Sequence, residues 1–368
     1  MTHKKKALHV GLVGPLPPPS GGMANQLNQL VQLLAKEDIQ VSLVQTNAPY
    51  GYKIIENIKG ARALWRLIPY LAKVWKLAGK VDVIHVLANS GWSWQLFAAP
   101  VLWTGWFRGT PVIINYRGGE AEDYFKKSIK WVRPSIKKAT AVAVPSGYLK
   151  KIFSDFGIDS QIIPNIINLE RFIPKDKIGL IDPLQPHLII TRNLEAIYGI
   201  STAIKAVALL RPIVPGIKLS IAGSGPQKEK LQYLVTKEKL ENNIIFTGRL
   251  TPEEMAKLYQ NANIMLNPTT VDNMPNSILE ALASGVAVVT TDVGGIPYIV
   301  KNNNTALFAE ANNPELMAKQ INRLLNEPEL YQELVNNGLQ DVQQYAWTEI
   351  RALWLGLYEA SRNKMVKK

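Results

Sequence analysis

Cysteine is absent from the 368 residues of the chain, which excludes structural disulfides, thiolate nucleophiles and thiolate-bound zinc. Histidine is nearly as scarce. The four present (His3, His9, His85 and His187) are never spaced at i,i+4, so no pattern for a histidine-built metal site exists. Long apolar runs are missing as well. Residues 83–107 carry no formal charge, but Asn89, Gly91, Gln95, Pro100 and Gly105 interrupt them, and no unbroken stretch reaches the length that spans a bilayer. The N-terminal MTHKKKALHVGLVG places a short basic run before a short apolar one and passes into PLPPPSGG without a cleavage pattern; the expectation is a cytoplasmic chain. With 47% hydrophobic and 19% charged residues, disordered and low-complexity classes are excluded, and the length suits two or three domains.

What is present is unevenly distributed. Residues 1–174 hold 22 Lys/Arg against 10 Asp/Glu, a net of +12, while residues 175–368 hold 20 against 19. Seven of the nine tryptophans (Trp65, Trp75, Trp92, Trp94, Trp103, Trp106 and Trp131) also fall in the first half. A basic, aromatic half suits an anionic membrane surface or nucleic acid. No recognised nucleic-acid motif accompanies the charge, so nucleic acid is not the expected partner.

Short β-branched runs alternate with helix-period stretches throughout. Strands are predicted at 9–14, 41–46, 82–87, 111–117, 141–146 and 161–164, and again at 188–192, 218–223, 243–248, 263–267, 286–292 and 306–309. This alternation specifies βαβ units and parallel sheets. Pro164, Pro174, Pro183 and Pro186 lie in a stretch without periodicity, where the linker is placed. The expected fold class is α/β with two tandem Rossmann-like domains, 1–172 and 173–347. A helix at 348–368 is expected to pack back through Leu353, Trp354, Leu357 and Tyr358. Ligands of such sheets bind beyond the strand C-termini, so the default site is a cleft between two facing domains.

Three segments carry chemistry. After the first strand, Gly21 and Gly22 precede a helix and either let backbone N–H groups approach an anion or form a plain turn; the GxGxxG spacing of a dinucleotide fingerprint is absent. GSGP (223–226) is a second phosphate-compatible turn. The third is PTTVDNMPNSILEALASGVAVVTTDVGGIP (268–297), in which Pro275 opens a helix and Gly285 ends it. Glu280 shares a helix face with Asn276 and Ser277. Helix-start N–H groups suit a diphosphate and the carboxylate suits ribose hydroxyls, although a buried structural role for Glu280 fits the local pattern too.

Asp272 and Glu280 stand eight apart, and the run onward through Gly295 resembles the acidic-x7-Glu signature of the retaining glycosyltransferases of family 4, which have the GT-B fold. SGG (20–22), DVIHV (82–86), IIPNIINLERFIP (162–174), TRNLEAIYGI (191–200), AGSGP (222–226) and IIFTGRL (244–250) resemble further family segments in the same order. The resemblance implies that Arg192 holds the donor diphosphate and Glu280 the ribose, with Gly223 among the donor-binding residues. Asp272 would hold the transferred sugar with the backbone of Asn273, Met274, Pro275 and Asn276. Ser277 and Ile278 complete this donor segment. Gly248, Arg249 and Leu250 would face the base, and Gly22, with Gly21, would approach the diphosphate from the other domain. Four positions depart from the family. Asp272 stands where Glu is usual, Tyr198 where a lysine is, Arg117 where a histidine is, and Tyr298 where Glu often is. Arg117 is expected to restore the lost cation, since a guanidinium binds phosphate bidentately. The expected catalytic set is therefore Asp272, Glu280, Arg192 and Arg117, without metal or other cofactor.

Residues 57–80 contain no acid. Lys59, Arg62, Arg66, Lys73, Lys76 and Lys80 share one side of a helix that Pro69 should kink, and Trp65, Trp75 and other apolar residues fill the rest. With Lys126, Lys127 and Lys130 further on, this face is either an interfacial membrane element or a solvated helix side. The expected reaction is sugar transfer from a nucleotide diphosphate donor to a glycan or lipid-linked acceptor at the cytoplasmic membrane face. A nucleotide-sugar epimerase of the same fold and a non-catalytic binding subunit are the alternatives.

Overall fold

The computed structural model describes residues 7–18, 21–48, 61–174 and 181–366, with backbone only at 61–66, 365 and 366. The chain divides into two units, one of residues 1–166 with 350–368 and one of residues 167–349.

The first unit is a six-stranded sheet of β1 (His9–Gly14), β2 (Gln40–Gln45), β3 (Val83–Ala88), β4 (Val112–Tyr116), β5 (Ala141–Val144) and β6 (Gln161–Ile162), in the order β2-β1-β3-β4-β5-β6. Every pairing is parallel. Its helices are α1 (Gly22–Ala35), α2 (Ala61–Ala78), α3 (Ala99–Arg108), α4 (Ala121–Ile136) and α5 (Gly147–Asp155). The second unit repeats the plan with β7 (His187–Thr191), β8 (Lys218–Ala222), β9 (Ile244–Gly248), β10 (Ile264–Asn267), β11 (Ala287–Thr291) and β12 (Leu307–Ala309), ordered β12-β11-β10-β7-β8-β9 and again all parallel. Its helices are α6 (Ile200–Leu210), α7 (Lys228–Lys237), α8 (Pro252–Gln260), α9 (Asn276–Ala283), α10 (Pro314–Asn326) and α11 (Pro328–Asp341). All twelve expected strands are present. The helix α12 (Trp347–Val366) lies mostly in the first unit.

Central strands buried on both faces have no room for polar side chains unless these pair. In β3 every residue is buried, and one of them is His85. Asn115 Nδ2 donates to its Nε2 at 2.9 Å, which leaves Nδ1–H to donate to the Tyr358 hydroxyl of α12 at 2.8 Å. Trp354 stacks on the imidazole at 4.4 Å between centroids. The buried stripe of α12 is Ile350, Trp354, Leu357, Tyr358 and Ser361, whereas Leu353, expected on this face, is exposed.

Burial, with the charge of Arg117 behind it, pushes the His85 pKa down to about 3, so the ring is neutral. An imidazole of ordinary pKa in the unfolded chain takes up a proton that the folded one refuses, so this stability is complete above pH ~6.5 and declines as pH falls towards 3. Relative to His85→Gln, the wild-type protein should lose about 2 kcal/mol of unfolding free energy between pH 7.5 and pH 5, as measured by urea denaturation; parallel pH profiles would refute the buried neutral imidazole.

Candidate active site

In a parallel sheet the loops after the strands gather at one edge, and in the second unit they carry the expected donor residues. Arg192 follows β7. Its Nη2 pairs with the Asp272 carboxylate in the loop after β10, and its guanidinium carbon lies 4.1 Å from the centre of the Tyr198 ring. Arg192 Nε is buried and has no partner. The position where a second cation is usual therefore holds a ring that lies against the first.

The surrounding loops are tied to each other by backbone. Thr270 N–H donates to the Ile197 carbonyl at 2.8 Å, and the Thr270 hydroxyl to the same oxygen at 3.0 Å, so the turn bearing Tyr198 cannot drift from the Asp272 loop. Gly295 N–H donates to the Asp272 carbonyl at 3.0 Å. Gly294 has a φ of +56°, and a Cβ there would overlap that same carbonyl. The Gly-Gly pair after β11 is thus required for the loop after β10 to close. On the other side Gly223 packs against the Arg192 carbonyl, Leu194 N–H donates to Ser224 O at 3.1 Å, and Gly223 N–H donates to Gly248 O at 2.8 Å. Arg249 Nε reaches Ser224 Oγ at 2.6 Å. Three turns far apart in sequence thus form one hydrogen-bonded rim.

Helix α9 starts one residue later than expected, with Pro275 as its N-cap. Met274 and Ile278 are core residues, so only their backbone is available to a donor. The Ser277 hydroxyl is buried without a partner. Glu280 Oε2 accepts from the Tyr259 hydroxyl at 3.0 Å, and that hydroxyl lies 2.5 Å from Thr191 Oγ1. Tyr259 is 21 residues from Glu280, on α8, and nothing in the sequence marks it as a partner. Burial pushes Glu280 up to about 7, against the opposing influence of Tyr259, Arg192 and Arg171. Burial also raises Asp272, although Arg192 and the Asn273 N–H, at 2.9 Å, favour its ionised form. One guanidinium therefore stands near two desolvated carboxylates, a placement typical of functional sites.

In the first unit, Arg117 follows β4. Its Nε donates to Asn115 Oδ1 at 3.2 Å and its Nη1 donates to Asn165 Oδ1. Burial lowers its pKa to about 10, so it stays cationic. Among the described residues no carboxylate pairs with it. Gly21 is the N-cap of α1 in extended backbone, with open space where a side chain would be, and Gly22 begins the helix. Tyr298 is 53% exposed.

Lys73, Trp75, Lys76, Lys127 and Lys130 are exposed as expected, and Lys126 is paired with Glu122 at 2.6 Å. Lys59, Ser20 and the side chains of Arg62, Trp65 and Arg66 lie outside the described residues. Also among the described residues, no three His, Asp or Glu side chains converge as metal ligands, and no helix is long and apolar enough to cross a membrane.

Comparison with known proteins agrees with this layout. Residues 20–171 match the family model Glycosyltransferase Family 4 and residues 174–341 match Glycosyl transferases group 1. The two matches follow one another along nearly the whole chain, which belongs to the family-4-like glycosyltransferases of GT-B architecture. A D-inositol 3-phosphate glycosyltransferase of Pseudarthrobacter chlorophenolicus is 24% identical over 305 residues, 78% of this chain and 73% of that one. Other curated glycosyltransferases are matched over 38%, 54% and 50% of their own length, so the chain spans about half the length of those relatives. Sucrose-phosphate synthase from Thermosynechococcus elongatus shares the fold with a TM-score of 0.76 at 18% identity, covering 96% of this chain and 98% of that one. Anabaena HepE in complex with UDP does so with a TM-score of 0.74 at 15% identity, covering 96% and 100%.

A Glu280 carboxyl whose pKa is raised from about 4.5 to about 7 favours the folded state fully below pH 4.5, and that contribution is lost as pH rises through 7. Glu280→Gln should therefore be more stable than wild type at pH 8, by on the order of 3 kcal/mol, with the difference vanishing below pH ~4.5; melting temperatures across that range check the sign.

Proposed function

We propose that the protein transfers a sugar from a nucleotide diphosphate-sugar to a glycan or lipid-linked acceptor, with retention of anomeric configuration, at the cytoplasmic membrane surface. The observation that carries the reading is the Arg192–Asp272–Tyr198 cluster beside the Tyr259-supported Glu280. Arg192 offers its charge to a leaving diphosphate, and the start of α9 adds backbone N–H groups. Glu280, already oriented by Tyr259, accepts from ribose hydroxyls. Asp272 holds Arg192 before the donor arrives and stands beside the transferred sugar. The segment 248–250 borders the base. Charge neutralisation by guanidinium and helix-end amides makes the proposed chemistry metal-independent. No nucleophile suited to a covalent intermediate is evident from the sequence, which favours attack by the acceptor hydroxyl on the face the diphosphate leaves. The UDP complex of HepE supports a UDP-sugar as the first donor to test.

A thermal-shift screen with UDP-, GDP- and ADP-sugars should identify one nucleotide that adds about 2.7 kcal/mol at ~100 times its dissociation constant. With that donor, Asp272→Asn should lower turnover about a hundredfold while nucleotide affinity holds or tightens, because Arg192 is released to the phosphates; equal loss of both would remove Asp272 from the sugar. Transfer should also survive EDTA, and loss of activity restored by a divalent cation would overturn the metal-free mechanism.

A further inference from the structure

Helices covering a parallel sheet bury one stripe and turn a polar side outward. Helix α2 buries Tyr70, Val74, Leu77 and Ala78 in the expected way. Among its described side chains, further apolar residues lie off that face. Ile68, Leu71 and Trp75 form a second stripe at i, i+3 and i+7 that is 66%, 37% and 49% exposed. Helix α3, packed on α2, ends in Trp106 and Phe107, 52% and 67% exposed, with ring centroids 4.8 Å apart. Helix α4, packed on α3, adds Trp131 at 80% exposure, two turns before Lys138. Lone exposed aromatics are ordinary, but a joined row of them marks an interaction surface.

Charge decides what covers it. The Arg108 guanidinium lies 5.1 Å from the Trp75 ring centre, linking α2 to α3. The Lys138 ammonium lies 3.8 Å from the Trp106 ring centre and 5.1 Å from that of Trp103, linking α3 to the end of α4. The segments 67–80, 99–111 and 124–140 contain no Asp or Glu, so Lys73, Lys76, Lys130 and Lys137 join these two in a field of one sign. A second copy of the chain docking symmetrically would bring this field against itself. An anionic bilayer offers opposite charge at the headgroups and an apolar boundary just beneath, the setting that amphipathic tryptophans with flanking Lys and Arg favour.

We propose that the ledge formed by Ile68, Trp75, Trp106, Phe107 and Trp131 is the surface on which the first unit enters the headgroup layer of an anionic membrane. This deepens the membrane-surface reading and rests on it. It also shifts the main contact from a charged helix side to inserted rings, so part of the binding resists salt, which screens the cations but not apolar burial.

The test is flotation of the full-length protein with phosphatidylcholine vesicles, with and without phosphatidylglycerol, at low and high salt, alongside the UDP thermal shift. Wild type should bind the anionic vesicles and keep a salt-resistant fraction. The double variant Trp106→Ala, Phe107→Ala alters exposed side chains only; its partition should fall about tenfold and lose that fraction, with the thermal shift unchanged. Equal partition of variant and wild type would overturn the ledge while leaving the membrane reading in place. Wild type that ignores every vesicle yet binds nucleotide would overturn both. A wild-type dimer in size-exclusion chromatography that the double variant abolishes would assign the ledge to a second copy and overturn the proposal.

Discussion

The Arg192 guanidinium stands against one desolvated carboxylate and within electrostatic reach of a second, and the second unit is arranged around that constraint. Arg192 pairs directly with Asp272 and influences Glu280 electrostatically. A charge so placed is tolerable only if its geometry is held. Tyr198 lies against the guanidinium, Gly294 and Gly295 let the neighbouring loop close on Asp272, and the Gly223 turn supports Arg192 from behind. The residual mismatch is visible in what is left unpaired, Arg192 Nε and Ser277 Oγ. Buried donors left unsatisfied and a carboxyl raised towards neutrality cost stability, a cost that functional sites commonly carry.

The first unit shows the same economy of charge in another form. His85, Asn115 and Arg117 form a hydrogen-bonded chain that begins at Tyr358 of the C-terminal helix and ends at a cation held by neutral amide oxygens. Donor and acceptor roles run in one direction along it, from Arg117 Nε–H to the Tyr358 oxygen. A terminal helix that packs back on the sheet therefore bears on the orientation of a candidate site residue as well as on the core. The outward side of this unit is organised by opposite means. In the segments 67–80, 99–111 and 124–140, rings and cations lie against one another with no acid among them.

The architecture was legible in the sequence because parallel strands buried on both faces must be short, β-branched and regularly spaced. All twelve strands could be placed from that rule alone. Glu280 was legible as a carboxylate in the second turn of a helix with a readable start, whereas Asp272 and Arg192 were singled out by their likeness to segments of a known family. Other features carried no such mark. Tyr259 meets Glu280 only because α8 and α9 are brought together by the fold. Leu353 fitted the helical period yet faces solvent, and the meeting of the exposed Trp75 with Arg108 of α3 had no mark in the sequence.

The sequence by itself determined composition-level facts: the absence of thiol chemistry, the basic and tryptophan-rich first half, the α/β repeat and the local order of residues in each loop. These follow from residue type and spacing within one element, which local physics can read. The tertiary structure alone decided that Tyr198 lies against Arg192, that Tyr259 supports Glu280, that His85 is neutral and linked to Arg117, and that Trp75 of α2 meets Arg108 of α3. Each of these depends on distances between elements remote in the chain, and such distances are set by how the sheets and helices pack.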